Sequence, residues 1–177
     1  MEWIRKGRAW VFGDNICPDI AIGYPISDIL GDLREVKDRR EFKKIFMVRL
    51  DPTLPNKVKK GDFIVAGKNF GVDRVHAPFW VSLEEVGISG IIAESFSERF
   101  FRESVSRGFP ILECENITKK VENGDELMVD FKLGLIKNLR KNEDIKAKLL
   151  PDIILEIIES GGALHWLKKK VDRIKKT

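Results

Sequence analysis

The 177-residue chain has few cysteines and no long apolar run, and each shortage excludes a class of protein. Its two cysteines, Cys17 and Cys114, lie far apart in the sequence. Two thiols exclude a disulfide framework, and they cannot supply the roughly four ligands of a self-contained zinc or iron–sulfur site. No apolar run approaches the about 20 residues that span a membrane, and Met1–Arg5 shows no feature of a secretory signal. We therefore expect a cytoplasmic protein that does not contact a membrane.

The composition is typical of a folded, charge-rich protein, with 43% hydrophobic and 34% charged residues. The length suffices for one domain with a hydrophobic core, so we expect a single domain over residues 1–177. The net charge is +4, and much of it lies near the end of the chain. There, Asp172 is surrounded by Lys168, Lys169, Lys170, Arg173, Lys175 and Lys176. Such cations could bind nucleic acid, but no aromatic residues alternate with them, which favours a solvated terminal helix.

The segment from Lys59 to Cys114 alternates between strand and helix patterns. The pattern predicts strands at 63–66, 88–93 and 110–114, a helix at 79–86, and a second helix that follows Ser95 and runs to about Arg107. Ser95 has capping-box spacing to Glu98, and Gly87 and Gly108 are suited to end the two helices. Strands joined through helices pair in parallel, so we expect functional polar groups in the strand-to-helix loops.

The regions on either side complete the predicted order of elements. We expect a first strand over Gly7–Gly13, one or two short surface helices between Ile26 and Val48, and a β-hairpin of Glu126–Phe131 with Leu135–Leu139. Pro151 suits the first position of a helix that ends at Glu159. Gly161 and Gly162 then interrupt the chain before a basic helix over 163–176.

The loop of residues 67–78 concentrates polar groups between a strand and a helix. Arg74 can bind a substrate carboxylate with two hydrogen bonds, or it can pair with Asp73 or solvent. Asp73 can act as a base if burial raises its pKa, or it can be an ion-pair partner whose basicity that pairing lowers. His76 can take part in catalysis or orient the loop backbone.

Several phrases of the sequence resemble one protein family. The sequence resembles the small subunits of the aconitase-family isomerases, which include isopropylmalate isomerase and homoaconitase and which match the swivelling domain of aconitase. The resemblance covers most of the chain. It is carried, in order, by residues 7–15, 59–71, 76–78, 87–96 and 108–114.

The resemblance implies an α/β fold, a swivelling β/β/α domain with a mixed, partly open sheet. It implies a heterodimer or heterotetramer with a large subunit, and an active site between the two chains. This chain would hold no cofactor, and a four-iron–four-sulfur cluster is expected on the large subunit, where one iron acts as a Lewis acid. The implied reaction is the dehydration and rehydration of a hydroxy di- or tricarboxylic acid, as in leucine biosynthesis.

The departures from the family pattern lie in the catalytic loop. The usual loop reads Gly-Ser-Ser-Arg-Glu-His-Ala-Pro, with one serine as base and the arginine on a substrate carboxylate. Counted back from His76, Arg74 matches the arginine, whereas Asp73 and Val72 occupy the serine positions. The loop is also shorter, Val75 replaces the glutamate, and an Asp-Thr-Asp motif near the start of the chain reads Cys17-Pro18-Asp19.

The candidate site therefore combines residues from this loop with one residue from the region that sets substrate specificity in the family. The catalytic candidates are Asp73, Arg74 and His76; the substrate-binding candidates are Asn69, Gly71, Val72, Arg74 and Tyr24; no metal ligand is expected. Two functions remain open. The chain is an enzyme subunit that is active only with its large partner, or a catalytically degenerate paralogue that acts as a binding or regulatory subunit.

Overall fold

The computed structural model describes residues 2–23 and 38–175. Its strands are β1 (Ile4–Val11), β2 (Phe63–Ala66), β3 (Gly90–Ala93), β4 (Ile111–Glu113), β5 (Glu126–Asp130), β6 (Leu135–Asn138) and β7 (Glu143–Lys146). Its α-helices are α1 (Pro18–Ala21), α2 (Leu54–Lys57), α3 (Ala77–Val86), α4 (Glu98–Arg107), α5 (Ile117–Lys120), α6 (Asp152–Glu159) and α7 (Ala163–Ile174), and a 3₁₀ helix covers Arg39–Ile45. Among the helices of these two ranges, none is long and apolar enough to cross a membrane.

The strands form one mixed sheet in the order β4-β3-β2-β1-β5-β6-β7. Strand β1 lies at the centre and pairs in parallel with β2 and antiparallel with β5. The β2-β3-β4 half is parallel, with helices in its connections, and the β5-β6-β7 half is an antiparallel meander. The parallel pairing and the β5–β6 hairpin expected from the sequence are therefore confirmed.

The sheet curls until its two edges meet at one point. The backbone N–H of Lys148, just after β7, donates to the carbonyl of Glu113 in β4 over 2.8 Å. The Cys114 thiol lies 3.6 Å from the carbonyl of Lys146. Because β4 and β7 do not pair as strands, the sheet is a half-barrel, and the expected mixed, partly open sheet is confirmed.

Two hydrophobic cores lie on the opposite faces of this curled sheet. Strand β2 is buried along its whole length because its side chains alternate between the two cores. Phe63 and Val65 belong to the core on one face of the sheet, and Ile64 and Ala66 belong to the core on the other face, which α3 and α4 cover. This explains the continuous apolar run, since a parallel strand covered on both faces has no polar side. Burial on both faces fixes the carboxyl end of β2, from which the polar loop emerges.

Several element boundaries differ from the sequence predictions. Ser97, not Ser95, caps α4, and its hydroxyl accepts the N–H of Phe100 over 3.3 Å. Pro151 is the residue before α6 rather than its first helical residue. Strand β7 was not predicted because Ile145 is its only buried side chain, so its sequence carries little hydrophobic alternation. Gly87 and Gly108 end their helices in the left-handed conformation, as expected.

The predicted surface helices between Ile26 and Val48 are described only in part. Residues 24–37 lie outside the described ranges, and within the remainder the 3₁₀ helix Arg39–Ile45 forms. The final helix ends at Ile174 and packs outside the sheet, against α4 and α6.

A buried carboxylate joins the turn before β5 to the end of β6. Asp125 is fully buried, and it accepts the N–H of Glu122 over 2.9 Å and the Asn138 amide over 2.7 Å. Nη1 of Arg140 lies 3.2 Å from Oδ1 of Asp125. Desolvation by burial raises the pKa of Asp125, but the hydrogen bonds from Glu122 and Asn138 and the nearby cations outweigh it and hold the pKa below its ordinary value.

Replacing Asp125 with asparagine tests this network. A carboxyl group whose pKa is lower in the folded state stabilises the fold above its unfolded pKa of about 3.9, and this stabilisation is lost as the pH falls through the folded pKa. We expect Asp125→Asn to lower the unfolding free energy at pH 7 by about 1–3 kcal/mol and to flatten its decline below about pH 4. Urea unfolding at several pH values measures both effects, with the exposed Asp144→Asn as control. Equal pH profiles for wild type and Asp125→Asn would contradict this account.

Candidate active site at the carboxyl edge of the parallel strands

The predicted polar loop leaves the carboxyl end of β2 beside the ends of its two neighbours. The N–H of Gly67 donates to the carbonyl of Gly13, after β1, over 3.1 Å. On the other side, the N–H of Glu94, after β3, donates to the carbonyls of Ala66 and Gly67. Residues 68–76 therefore lie where parallel α/β sheets commonly place their ligand sites.

Close backbone contact with the segment after β1 fixes the start of the loop. The Asp14 carboxylate accepts the N–H of Lys68 over 2.7 Å, and the carbonyl of Lys68 accepts the N–H of Asn15 over 2.8 Å. A side chain at Gly67 would put its Cβ 1.9 Å from Oδ1 of Asp14. The φ angle of Gly67 is not in the left-handed region, so the close approach of Asp14 alone requires glycine here.

The next residues are held by the segment after β3. The N–H of Asn69 donates to the Ser95 hydroxyl over 2.9 Å, and its side-chain amide donates to Asn15 over 2.9 Å. The Ser97 hydroxyl donates to the carbonyl of Gly71 over 2.6 Å. Asn69 and Gly71 both have positive φ angles, and a Cβ at Gly71 would lie 2.3 Å from that of Phe100. These contacts fix the backbone before any substrate binds.

An aromatic side chain attaches this backbone to the core. Phe70 is fully buried, and its ring contacts those of Phe79, Phe96 and Phe100 at centroid distances of 6.5, 6.2 and 5.1 Å. Aromatic contacts of this kind add to the free energy gained from burial alone. The loop is thus held at the buried Phe70, Gly71 and Val75, and only Asp73 and Arg74 between them are exposed.

Asp73 and Arg74 occupy the projecting part of the loop. Their side chains are 68% and 59% exposed, and Nε of Arg74 lies 3.9 Å from Oδ1 of Asp73. This distance is too long for a charge-assisted hydrogen bond, so the guanidinium is not committed to its neighbour. Asp73 has a positive φ angle, which aspartate tolerates better than most residues. Val72 is partly buried, and its side chain has no group that could accept a proton.

His76 is held by a carboxylate from the segment after β1. Asp19 of α1 is buried, and its Oδ1 accepts the backbone N–H of His76 over 2.9 Å. Its Oδ2 contacts Nδ1 of the His76 ring. His76 is the residue before α3 and has extended backbone angles, and Pro78 follows in the first turn. An ionised Asp19 favours the tautomer with hydrogen on Nδ1, which leaves Nε2 as a proton acceptor.

The structure brings most of the predicted site residues together on this loop. Asn69, Gly71, Val72, Asp73, Arg74 and His76 all lie between β2 and α3, whereas Tyr24 lies outside the described residues. The sequence prediction did not include Asp14, Asn15, Asp19, Ser95 and Ser97, which hold the loop. Their position just after β1 and β3 was the available signal, because carboxyl ends of parallel strands share one edge.

A cleft of considerable volume lies away from this loop, and the described residues group no metal ligands. In the described parts of the chain, no group of three or more His, Cys, Asp or Glu side chains could hold a metal ion. Cys114 is buried, which raises the pKa of its thiol, whereas Cys17 is only partly buried. A cleft of about 950 Å³ opens at the other end of the sheet, beside Arg5, Lys60 and Phe109. The chemistry of the loop residues, rather than cleft size, identifies the site.

Comparison with known proteins identifies the family. No protein-family model matches the chain. The isopropylmalate/citramalate isomerase small subunit of Methanocaldococcus jannaschii is 43% identical over 173 residues, which cover 97% of this chain and 98% of the relative. A 3-isopropylmalate dehydratase small subunit of Archaeoglobus fulgidus is 40% identical over 169 residues, covering 94% and 99%.

A solved structure agrees with these relatives. The crystal structure of 3-isopropylmalate dehydratase from M. jannaschii superposes with a TM-score of 0.82 at 33% identity and covers 98% of this chain and 99% of its own. The likeness therefore extends over the curled sheet and the helices that surround it. Together with the sequence relatives, it shows that the chain belongs to the family of 3-isopropylmalate dehydratase small subunits.

Proposed function

We propose that this chain is the small subunit of a two-subunit hydro-lyase that dehydrates and rehydrates a hydroxy di- or tricarboxylic acid of the 3-isopropylmalate type. The observation that carries the proposal is the loop between β2 and α3, which the neighbouring strand ends hold rigidly while Arg74 remains exposed. The named relatives act on isopropylmalate, and one of them also on citramalate. These acids share a hydroxyl group and two carboxylates, so a carboxylate-binding arginine suits either.

The proposed partner is a large subunit, in a heterodimer or heterotetramer, that completes the active site in the cytoplasm. The relatives are named as small subunits, which supports a larger partner chain. We place the four-iron–four-sulfur cluster that the family resemblance implies on that partner. The two cysteines of this chain agree with this placement, since such a cluster needs about four thiolates. This chain would then contribute substrate binding and proton transfer.

Arg74 has the geometry to bind a substrate carboxylate. Its planar guanidinium can donate two parallel hydrogen bonds to the two oxygens of one carboxylate, which lysine cannot do. The exposed side chain of the isolated small subunit would be covered by the partner once the two chains assemble. Exclusion of water there strengthens a charged contact.

Two side chains can accept the proton that is removed from carbon. Asp73 adjoins Arg74, so a carboxylate held by the arginine would place its neighbouring carbon close to this acid. Asp73 is exposed here, so it would need burial by the partner to become a stronger base. His76 offers Nε2, with its ring orientation set by Asp19. Both assignments are proposals, and they predict different effects of Asp73→Asn and Asp19→Asn on kcat.

One observation favours the second function, a non-catalytic binding or regulatory subunit. Val72 replaces the serine that acts as base in the family, so the usual proton acceptor is missing. The loop contacts after β1 and β3 would then maintain a docking surface rather than a catalytic one. The variants described next separate the two functions.

Replacing Arg74 tests substrate binding in the assembled enzyme. A charged hydrogen bond is worth about 1.5–3 kcal/mol, so Arg74→Ala should lower kcat/KM by about 10- to 100-fold, and Arg74→Lys should restore little of it. Steady-state kinetics with the large subunit measure this, with the exposed Arg102→Ala on α4 as control. If Arg74→Ala and Asp73→Asn both leave turnover of an active complex unchanged, the loop is not catalytic and the regulatory function is supported.

Asp73→Asn and Asp19→Asn separate the two candidate bases. If Asp73 is the base, Asp73→Asn should lower kcat strongly with little change in KM, and Asp19→Asn should leave kcat unchanged. If His76 is the base, Asp19→Asn should lower kcat, because the ring loses the carboxylate that orients it and favours its tautomer. A purely structural Asp19 would change the melting temperature without changing kcat.

The isolated chain tests the proposed division of labour. Purified without its partner, it should be colourless, hold no stoichiometric iron or sulfide, and show no dehydratase activity, since half of the site is missing. Iron analysis and absorbance near the charge-transfer bands of iron–sulfur clusters measure this. Stoichiometric iron and sulfide on the isolated chain would contradict the placement of the cluster on the partner.

A further inference from the structure

Helix α7 carries a row of exposed apolar side chains that the proposed site does not use. The row comprises Leu164, Leu167, Val171 and Ile174, which are 63%, 51%, 46% and 75% exposed. Their spacing of three, four and three residues places them on one face of the helix, as in the a and d positions of a coiled coil. We call this row the α7 stripe.

The α7 stripe faces away from the rest of the chain. A different face of α7 makes the intramolecular contacts: Trp166 donates to Glu156 of α6 over 3.1 Å, and Lys170 lies 3.2 Å from the same carboxylate. No residue of α7 is buried. An amphipathic surface helix normally turns its apolar face toward its own core, so an outward stripe indicates a missing partner.

The width of the stripe favours a partner helix over a lipid surface. At about 100° per residue, the four side chains span only about 80° of the helix circumference. So narrow an apolar stripe is typical of the contact between two helices in a coiled coil. Helices that lie in membrane interfaces have a broad apolar face, often with tryptophan or phenylalanine. Trp166, the one tryptophan of α7, lies on another face of the helix, where its indole N–H donates to Glu156.

The charges beside the stripe indicate the chemistry of that partner. At about 100° per residue, Lys168 and Lys175 flank one border of the stripe, and Lys170, which pairs with Glu156, lies beyond the other. Two copies of this helix would bring lysines against lysines, which opposes self-association. An apolar seam bordered by aspartate and glutamate would complement both the stripe and its borders.

The position of α7 separates this surface from the catalytic loop. Gly162, just before α7, packs against the end of α4, where an added Cβ would lie 2.4 Å from the carbonyl of Ser106. Nearby, Trp3 contacts Glu159 over 3.4 Å just before β1 begins. Both contacts mark the amino-terminal end of the parallel strands, whereas residues 68–76 follow the carboxyl end of β2.

A second contact with the large subunit would supply the apolar interface that the catalytic loop lacks. The exposed loop residues Lys68, Asp73 and Arg74 are charged, whereas stable interfaces depend on a few well-packed apolar or aromatic side chains. We propose that the α7 stripe is the docking site for an amphipathic helix with acidic borders on the large-subunit partner. This identity of the partner rests on the proposed function. The stripe would hold the two chains together at the end opposite the active site.

The experiment measures assembly with the purified large subunit. Leu167→Glu combined with Val171→Glu should raise the Kd by about 100-fold or more, because charges would replace the centre of the apolar seam. The matched control is Met128→Glu with Leu135→Glu, which places the same charges in another exposed apolar patch, on the antiparallel strands β5 and β6. The control should change the Kd by less than about threefold, within the range of peripheral contacts.

Two further readouts separate docking from other effects. Because the stripe is exposed, the double variant should keep the melting temperature of wild type, and at saturating large subunit it should keep wild-type kcat. Lys168→Glu with Lys175→Glu should also raise the Kd, and should make it less sensitive to salt. Unchanged affinity in the Leu167→Glu, Val171→Glu variant would overturn the proposal while leaving the proposed function intact.

The alternative occupants give distinct outcomes. If light scattering shows that wild type alone dimerises and that the stripe variant is monomeric, the occupant is a second copy and the proposal is wrong. If wild type, but not the variant, sediments with vesicles that contain phosphatidylserine, the occupant is a lipid surface and the proposal is also wrong. If wild type does not bind the large subunit at all, the proposed function fails first.

Discussion

The candidate site depends on close backbone contact at the carboxyl ends of the three parallel strands β1, β2 and β3. Asp14 accepts the N–H of Lys68, and the space for this carboxylate exists only because residue 67 is glycine. Ser95 accepts the N–H of Asn69 from the other side. The loop is therefore fixed by its neighbours in the sheet, and its exposed residues are presented from a rigid base. Preorganisation of this kind lowers the entropic cost of binding and reaction.

The same edge explains how a divergent loop can retain its architecture. The contacts that hold the loop use mainly backbone groups of residues 68–71, whereas the departures expected from the resemblance to the family loop lie at Val72, Asp73 and Val75. Val75 is buried, so an apolar residue at this position exposes no apolar surface. The chemistry of the loop can thus change while its attachment to the sheet stays the same.

Much of the parallel half could be predicted from the sequence, and less of what surrounds it. Strand β2 and helices α3 and α4 have strong apolar patterns with glycine ends, so their order and pairing were predicted correctly. Strand β7 has a single buried side chain, Ile145, and forms because β6 offers it a partner, which no local pattern reveals. The cap of α4 is Ser97 rather than the predicted Ser95: the Ser97 hydroxyl accepts the N–H of Phe100, whereas the Ser95 hydroxyl accepts the N–H of Asn69 in the loop.

The residues that hold the site were harder to predict than those that project from it. Arg74 and His76 stand in a recognisable loop, whereas Asp19 lies 57 residues earlier and meets His76 only through the fold. The apolar positions of α7 were predicted as part of a helix. Their exposure depends on the rotation of α7 about its axis, which the contacts of Trp166 and Lys170 with Glu156 fix. Roles of individual loop residues, the position of Tyr24 and the division into a single domain stay predictions.

The most direct test of the central claim is the dehydration of 3-isopropylmalate by the reconstituted pair of chains, followed through the ultraviolet absorbance of the unsaturated product. The account predicts product formation when this chain and a cluster-loaded large subunit are both present, and none with either chain alone. Citramalate in the same assay defines how far the substrate range extends. A large subunit that forms product at the same rate with and without this chain would contradict the account.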